Sequence, residues 1–215
     1  EESTPVLERF LKAAGHDVTV NSDADVLSDA GEMGQYDALV FNTLRTGDVA
    51  LNESEQKGMK EFISSGKGFV CIHISGCVPD TWPEYRDITG GGWVMGTSCH
   101  PPYGQFTVNI KNSDHPGVAG ISDFVTNDEL YMGIEYSDGN DVFVSSDFEE
   151  GTYPRNSPQG EPTHMPGGTI PLGWTRMFGD GRVFVTLLGH NGLSFETPEF
   201  QKIVLNGVNW VTSKG

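Results

Sequence analysis

Two histidines stand where an apolar run gives way to a loop. Gly68-Phe69-Val70-Cys71-Ile72 leads into His73, and Val183-Phe184-Val185-Thr186-Leu187-Leu188 leads through Gly189 into His190. An imidazole titrates near neutrality, so it can take or return a proton at ordinary pH. In an open α/β sheet the carboxyl ends of the strands border the crevice where ligands bind. One such ring is as well explained by a hydrogen bond that finishes a strand; two in the same kind of position are harder to dismiss. A third, His100, precedes Pro101 in a loop rich in glycine and tryptophan. Asn127-Asp128-Glu129-Leu130-Tyr131 sets paired acids beside an aromatic ring, and a buried glutamate there serves as base, acid or metal ligand. These residue types allow acid–base catalysis with His73 and Glu129 as the working pair. His100 and His190 would then position substrate or hold a metal.

The remaining candidates are weaker. His115 lies between Asp114 and Pro116 and reads as a turn former ordered by Asp114, and His164 lies in a long loop. Trp82, Tyr131 and Trp174 are candidate substrate-binding rings that stack on sugar faces, set against the commoner role of tryptophan as core; Trp93 is a further ring of this kind. No GxSxG elbow, P-loop, GxGxxG or HExxH occurs, so serine-hydrolase and nucleotide chemistry lack support. His73, His100, Glu129 and His190 are chemically fit for a divalent metal, but their spacing matches no local signature, and the cofactor stays open. Cys71, Cys77 and Cys99 make no CxxC pair. A Cys77–Cys99 disulfide is an option in an exported chain, and Cys71 reads as a small buried hydrophobe.

The elements that must carry these residues show as a change of pattern along the chain. Thr4-Pro5 opens a helix with Val6, Leu7, Phe10 and Leu11 on one stripe and Gly15 as its stop. A short strand is expected at Asp17–Val20 and a buried one at 36–42. Asn52 with Glu55 three residues on begins a helix through Met59, Phe62 and Ile63. Apolar strands alternating with helices indicate βαβ units and a parallel sheet. The second half differs. Residues 105–111 alternate polar and apolar, 141–145 form another strand, and 147–168 read as a long loop. Ile170–Phe178 and Arg182–Leu188 flank Gly179-Asp180-Gly181, a hairpin signal. A last helix from Thr197 to about Thr212 carries Phe200, Ile203, Val204, Gly207, Val208 and Val211 on the face that covers the sheet.

Composition bounds the partners. The chain has 215 residues, enough for one well-cored domain over 1–215. Thirteen basic against 30 acidic residues leave a net charge of −17, a field that repels nucleic acid and anionic membranes. No apolar run is long enough for a membrane span. The mean hydropathy of −0.32 is that of a soluble globular protein. The acidic excess tilts expectation toward a periplasmic or extracellular location, and the oligomeric state is open, an oligomer included.

The sequence resembles the ThuA-like (trehalose-utilisation) family. The likeness runs from Tyr36-Asp37-Ala38-Leu39-Val40-Phe41 through Gly66-Lys67-Gly68 to His73, Trp82-Pro83-Glu84-Tyr85, Gly90-Gly91-Gly92 and His100-Pro101. It continues through Asp114-His115-Pro116, Asp128-Glu129-Leu130-Tyr131, Pro171-Leu172-Gly173-Trp174 and Gly181-Arg182 to Leu188-Gly189-His190-Asn191. The resemblance implies a three-layer α/β fold, flavodoxin-like and akin to class I glutamine amidotransferases, with a mainly parallel sheet and an antiparallel hairpin extension. It also implies a first strand upstream of Glu1. Where those amidotransferases hold a cysteine nucleophile, after the third strand, this chain has Ile72-His73-Ile74-Ser75, with Cys77 the remaining thiol candidate. Family members accompany sugar dehydrogenases, which implies a small-molecule carbohydrate partner, a disaccharide or 3-keto-glycoside. The enzyme class so implied is a hydrolase, lyase or isomerase. The alternatives are a non-catalytic sugar-binding or interaction module and a metal-dependent hydrolase.

Overall fold

A computed structural model describes residues 2–73, 82–154 and 161–213. Helix α1 (Ser3–Ala13) buries Val6, Leu7, Phe10 and Leu11. Pro5 lies in its first turn, where a missing N–H leaves no carbonyl unpaired. The helix starts at Ser3, ahead of the expected Thr4 cap, and Glu2 at the N-cap makes no side-chain bond. After α2 (Ala30–Met33) and strand β1 (Ala38–Phe41), helix α3 (Glu53–Ser64) opens on the expected capping box. Asn52 accepts from the N–H groups of Ser54 and Glu55, and the Glu55 side chain accepts from Asn52 N at 2.8 Å. Strand β2 (Gly68–Ile72) is buried at every position. Then come α4 (Tyr85–Thr89), β3 (Gly91–Gly92), β4 (Gly104–Ile110), β5 (Phe124–Asp128), β6 (Glu135–Tyr136) and β7 (Asp141–Phe148). The chain continues through β8 (Gly151–Tyr153), β9 (Thr163–Met165), β10 (Gly168–Phe178), β11 (Gly181–Thr186), α5 (Gly192–Phe195) and α6 (Pro198–Thr212).

Among the described residues the main sheet runs β1-β2-β11-β10-β7-β4-β5. β1, β2 and β11 are parallel, and Val183–Thr186 pair with Phe69–Ile72. From β10 onward every pairing in it is antiparallel, so the antiparallel extension is four strands and larger than the single hairpin expected. Helices cover both faces. Gly207 lets α6 approach until a Cβ there would stand 2.6 Å from the Phe184 ring, and Phe200, Ile203, Val204, Val208 and Val211 are buried beside it. On the opposite face Phe69 meets the Tyr85 ring of α4 edge-on. Burial of each such side chain is worth about 1.5–3 kcal/mol. The chain is thus an α/β fold, and no helix among the described residues is long and apolar enough to cross a membrane.

Three expectations are corrected. Asp17–Val20 joins no sheet: a strand must share its N–H and C=O groups with a neighbour, and β1, the edge of the sheet, pairs with β2 alone. For the same reason Ala38, Leu39 and Val40 are half-buried rather than fully enclosed. The expected loop at 147–168 carries the β8–β9 hairpin, with Gly151 facing Met165 and Tyr153 facing Thr163. Ile74, Ser75, Gly76 and Cys77 lie outside the described residues.

Candidate functional site

β2 ends at Ile72, and His73 takes a left-handed backbone conformation with φ of +50°, unusual for a side-chain-bearing residue and typical of functional turns. The ring is buried. Its Nδ1 stands 2.7 Å from the Leu187 carbonyl, so Nδ1–H donates there and Nε2 keeps the lone pair of the neutral ring. That Nε2 meets Tyr131 Oη at 2.8 Å, His190 Nδ1 at 3.3 Å and a Glu129 oxygen at 3.5 Å.

His190 comes from the loop after β11. Gly189, with φ of +112°, makes the turn against Ile72, Phe195 and Phe200. His190 Nδ1 lies 3.0 Å from Glu129 Oε2. His100, from the loop before β4, places Nδ1 at 2.9 Å from the Pro101 carbonyl and 3.7 Å from Glu129 Oε1. Three histidines from three distant segments therefore surround one carboxylate. Side-chain exposures of 3% for His73 and 6% for Glu129, against 19% for His100 and 36% for His190, make the first pair the floor and the second pair the solvent-facing wall.

β5 is the last strand of the sheet in spatial order, yet its end reaches the rim of β2 and β11. Asp128, 1% exposed, explains how. It accepts from Glu129 N at 2.9 Å, Gly189 N at 2.8 Å and His190 N at 3.0 Å. The sheet curls, and one buried carboxylate fastens its far edge to the β11 loop.

Burial pushes the Glu129 carboxyl up, but the hydrogen bond with His73 and the charges of His100, His190 and His73 outweigh it, leaving the group below the ordinary carboxylate value. The three histidines thus favour the ionised form of Glu129.

The aromatic candidates separate. Tyr131 is buried in the cluster, its ring 4.6 Å from that of His73. Trp174 is fully buried, donates Nε1–H to the Thr89 carbonyl at 2.7 Å and meets Tyr136 edge-on. Trp82 is buried against Tyr85. Neither tryptophan has a free face for a sugar, which corrects their expected stacking role; size and apolarity sent them to the core. The half-buried Trp93 is the tryptophan at the cluster, 5.0 Å from Tyr131 and 6.2 Å from His100 by ring centroids. Tyr103, not singled out in the sequence, lies 5.4 Å from His190 by ring centroids, tilted at 46° to it. His115 is buried elsewhere and orders its turn by accepting from Gly117 N rather than through Asp114. His164 faces Glu150 on the exposed β8–β9 hairpin. Cys71 is fully buried, its thiol pushed up to about 12, and is no nucleophile.

A curled α/β sheet with an imidazole–carboxylate cluster at its carboxyl rim defines the class. Residues 1–211 match the family model "ThuA: Trehalose utilisation", and the chain belongs to that family. A ThuA-like protein from Parabacteroides merdae superposes with a TM-score of 0.75 at 22% identity, covering 99% of this chain and 85% of that one. A ThuA-like protein from Bacteroides uniformis gives 0.74 at 18% identity over 98% and 83%. A Salmonella typhimurium protein gives 0.66 at 15% identity over 98% and 87%. No curated protein matches the sequence. The Salmonella protein and a second one of the same fold are described as cytoplasmic, which corrects the periplasmic or extracellular lean: an acidic surface is no mark of export.

Proposed function

We propose that this domain processes disaccharides or their 3-keto derivatives at the rim of β2 and β11, by acid–base chemistry centred on Glu129. The observation that carries the reading is the convergence of His73, His100 and His190 on one buried carboxylate. The family's association with trehalose utilisation supports carbohydrate as the substrate class.

Removing a proton beside a keto group, or protonating a glycosidic oxygen, needs an acid and a base but no covalent nucleophile. Glu129 and His73 form the floor and hold the positive charge of whichever ring carries the proton. His100 and His190 exchange that proton with substrate, being the rings that reach solvent. His100 donates Nδ1–H to Pro101, so its Nε2 is the lone-pair nitrogen and the candidate base. Half-buried Trp93 supplies an apolar face beside them. The scaffold is read as class I glutamine amidotransferase-like, with His73 in the strained turn where those enzymes carry cysteine; thiolate chemistry is thereby replaced by proton transfer.

The test is turnover of a 3-keto-disaccharide and of the parent disaccharide. Glu129→Gln and His73→Ala are expected to lower kcat by about 10²–10⁴-fold with the fold retained by circular dichroism. Turnover by both variants within about twofold of the parent, against that general acid–base scale, refutes the assignment. Sugar binding without product in the parent protein favours a non-catalytic module instead.

A further inference from the structure

Three donor atoms of the cluster close a small triangle. His73 Nε2 and His190 Nδ1 are 3.3 Å apart, His190 Nδ1 and Glu129 Oε2 3.0 Å, and His73 Nε2 and Glu129 Oε2 3.5 Å. Donors about 2.1 Å from a metal ion stand about 3.0 Å apart in an octahedral shell and about 3.4 Å apart in a tetrahedral one. The triangle has the dimensions of one face of such a shell. Among the described residues it is also the one group of three His, Cys, Asp or Glu side chains whose ligand atoms lie this close together.

The hydrogen bonds around the triangle point the same way. The Leu187 carbonyl takes the Nδ1–H of His73, so the neutral ring turns its Nε2 lone pair toward Glu129 and His190. A backbone carbonyl on the far nitrogen is the outer contact by which metal-bound histidines have their tautomer fixed. Asp128 holds the backbones of both Glu129 and His190, so two of the three donors are fixed relative to each other before any ion arrives. Tyr131 Oη gives its hydrogen to the His73 lone pair when no ion is there.

We propose that His73 Nε2, His190 Nδ1 and Glu129 form a three-ligand, open-sided centre for a divalent first-row transition metal. Two imidazoles and one carboxylate suit zinc, manganese, cobalt or iron better than magnesium or calcium, which prefer oxygen donors. The inference rests on the carbohydrate reading for its substrate and deepens it. The side of the centre toward solvent, where His190 is most exposed, takes two neighbouring oxygens of a sugar, a keto oxygen and the adjacent hydroxyl. A cation there polarises the carbonyl and acidifies the neighbouring C–H. His100 stays outside the triangle, against the other oxygen of Glu129, and remains the proton carrier.

Chelator-treated protein is titrated with zinc, manganese and magnesium by calorimetry, and cobalt(II) binding is followed by visible absorption. One equivalent of zinc or manganese is expected to bind in the micromolar range or tighter, with magnesium far weaker. His73→Ala, His190→Ala and Glu129→Gln are expected to weaken it by more than about tenfold. In case a variant fails to fold, the parent protein carries a second readout: zinc must protect His190 from diethyl pyrocarbonate. Absence of transition-metal binding by the folded parent, or binding that leaves His190 unprotected, overturns the centre. Full keto-sugar turnover by metal-free protein that binds no cation removes the centre and keeps the acid–base reading. Tight binding at the triad without carbohydrate turnover keeps the centre and removes the carbohydrate reading.

Discussion

The Asp128 carboxylate accepts the backbone N–H of His190, sixty-two residues away, at 3.0 Å, and with its other oxygen accepts Gly189 N at 2.8 Å. One side chain thereby sets where an imidazole from the β11 loop meets the carboxylate of Glu129, its own neighbour in sequence. The cluster is a product of this bond as much as of the strands.

Asp128→Asn is expected to show it. An amide keeps one acceptor and turns an N–H toward a backbone N–H, leaving a buried donor unpaired at a cost of about 1–3 kcal/mol. Urea unfolding should register that loss. Turnover should fall further than stability explains, and diethyl pyrocarbonate should label His190 faster as the loop loosens. A stability loss with unchanged labelling and turnover would make Asp128 structural only.

Two buried groups give separate pH windows. Burial holds His115 below its ordinary value of 6.5, although Asp141 pushes it up. The unfolded chain therefore takes a proton there before the folded one does. Its contribution is full above about 6.5 and is lost as pH falls from there through the lowered folded value. Glu129 also titrates below its ordinary value, near 4.5: burial acts upward, and the histidines overcome it. Its contribution is full above 4.5 and is lost only as pH falls through the lowered value. Denaturant unfolding from pH 8 to 3 should show His115→Gln flattening the upper window and Glu129→Gln the lower one. The reverse assignment would contradict these directions.

Local pattern revealed the elements but not their meeting. The Asn52–Glu55 capping box, the Gly179–Gly181 hairpin and the stripe of α6 are written within a few residues of one another, and each forms as read. So does the placing of His73 and His190 just beyond parallel strands. Asp17–Val20 has strand-like residues, yet a strand exists only with a partner. Trp174 looks like a sugar platform until the Thr89 carbonyl and the Tyr136 ring enclose it. The curl that returns β5 to the β11 loop depends on pairings between distant segments, and nothing local to Asp128 announces them.

Burial takes Cys71 out of thiolate chemistry. Its thiol is fully buried and pushed up to about 12, so iodoacetamide at pH 8 should leave it unmodified in the folded protein and alkylate it in denaturant. Peptide mass spectrometry reads this directly. Rapid labelling of Cys71 in the native state would return it to the list of nucleophiles.

Trp93 and Trp174 should part in their effects. Trp93→Ala removes a half-buried ring beside His100 and is expected to weaken sugar binding by about 0.5–1.5 kcal/mol, with little change in melting temperature. Trp174→Phe leaves the Thr89 carbonyl without its donor, at about 1–3 kcal/mol of stability, and should leave sugar affinity unchanged. Calorimetry and thermal unfolding on both variants make the comparison; loss of affinity in Trp174→Phe alone would restore it as the platform.

Hydrogen exchange on substrate carbon reaches the central claim most directly. A 3-keto-glycoside incubated in D2O with the protein, and followed by proton NMR, is expected to lose the signal of the hydrogen beside the keto group faster than in buffer. Glu129→Gln should abolish that acceleration. A sugar that binds with no accelerated exchange and no product, or exchange that Glu129→Gln leaves intact, would contradict proton transfer at this cluster.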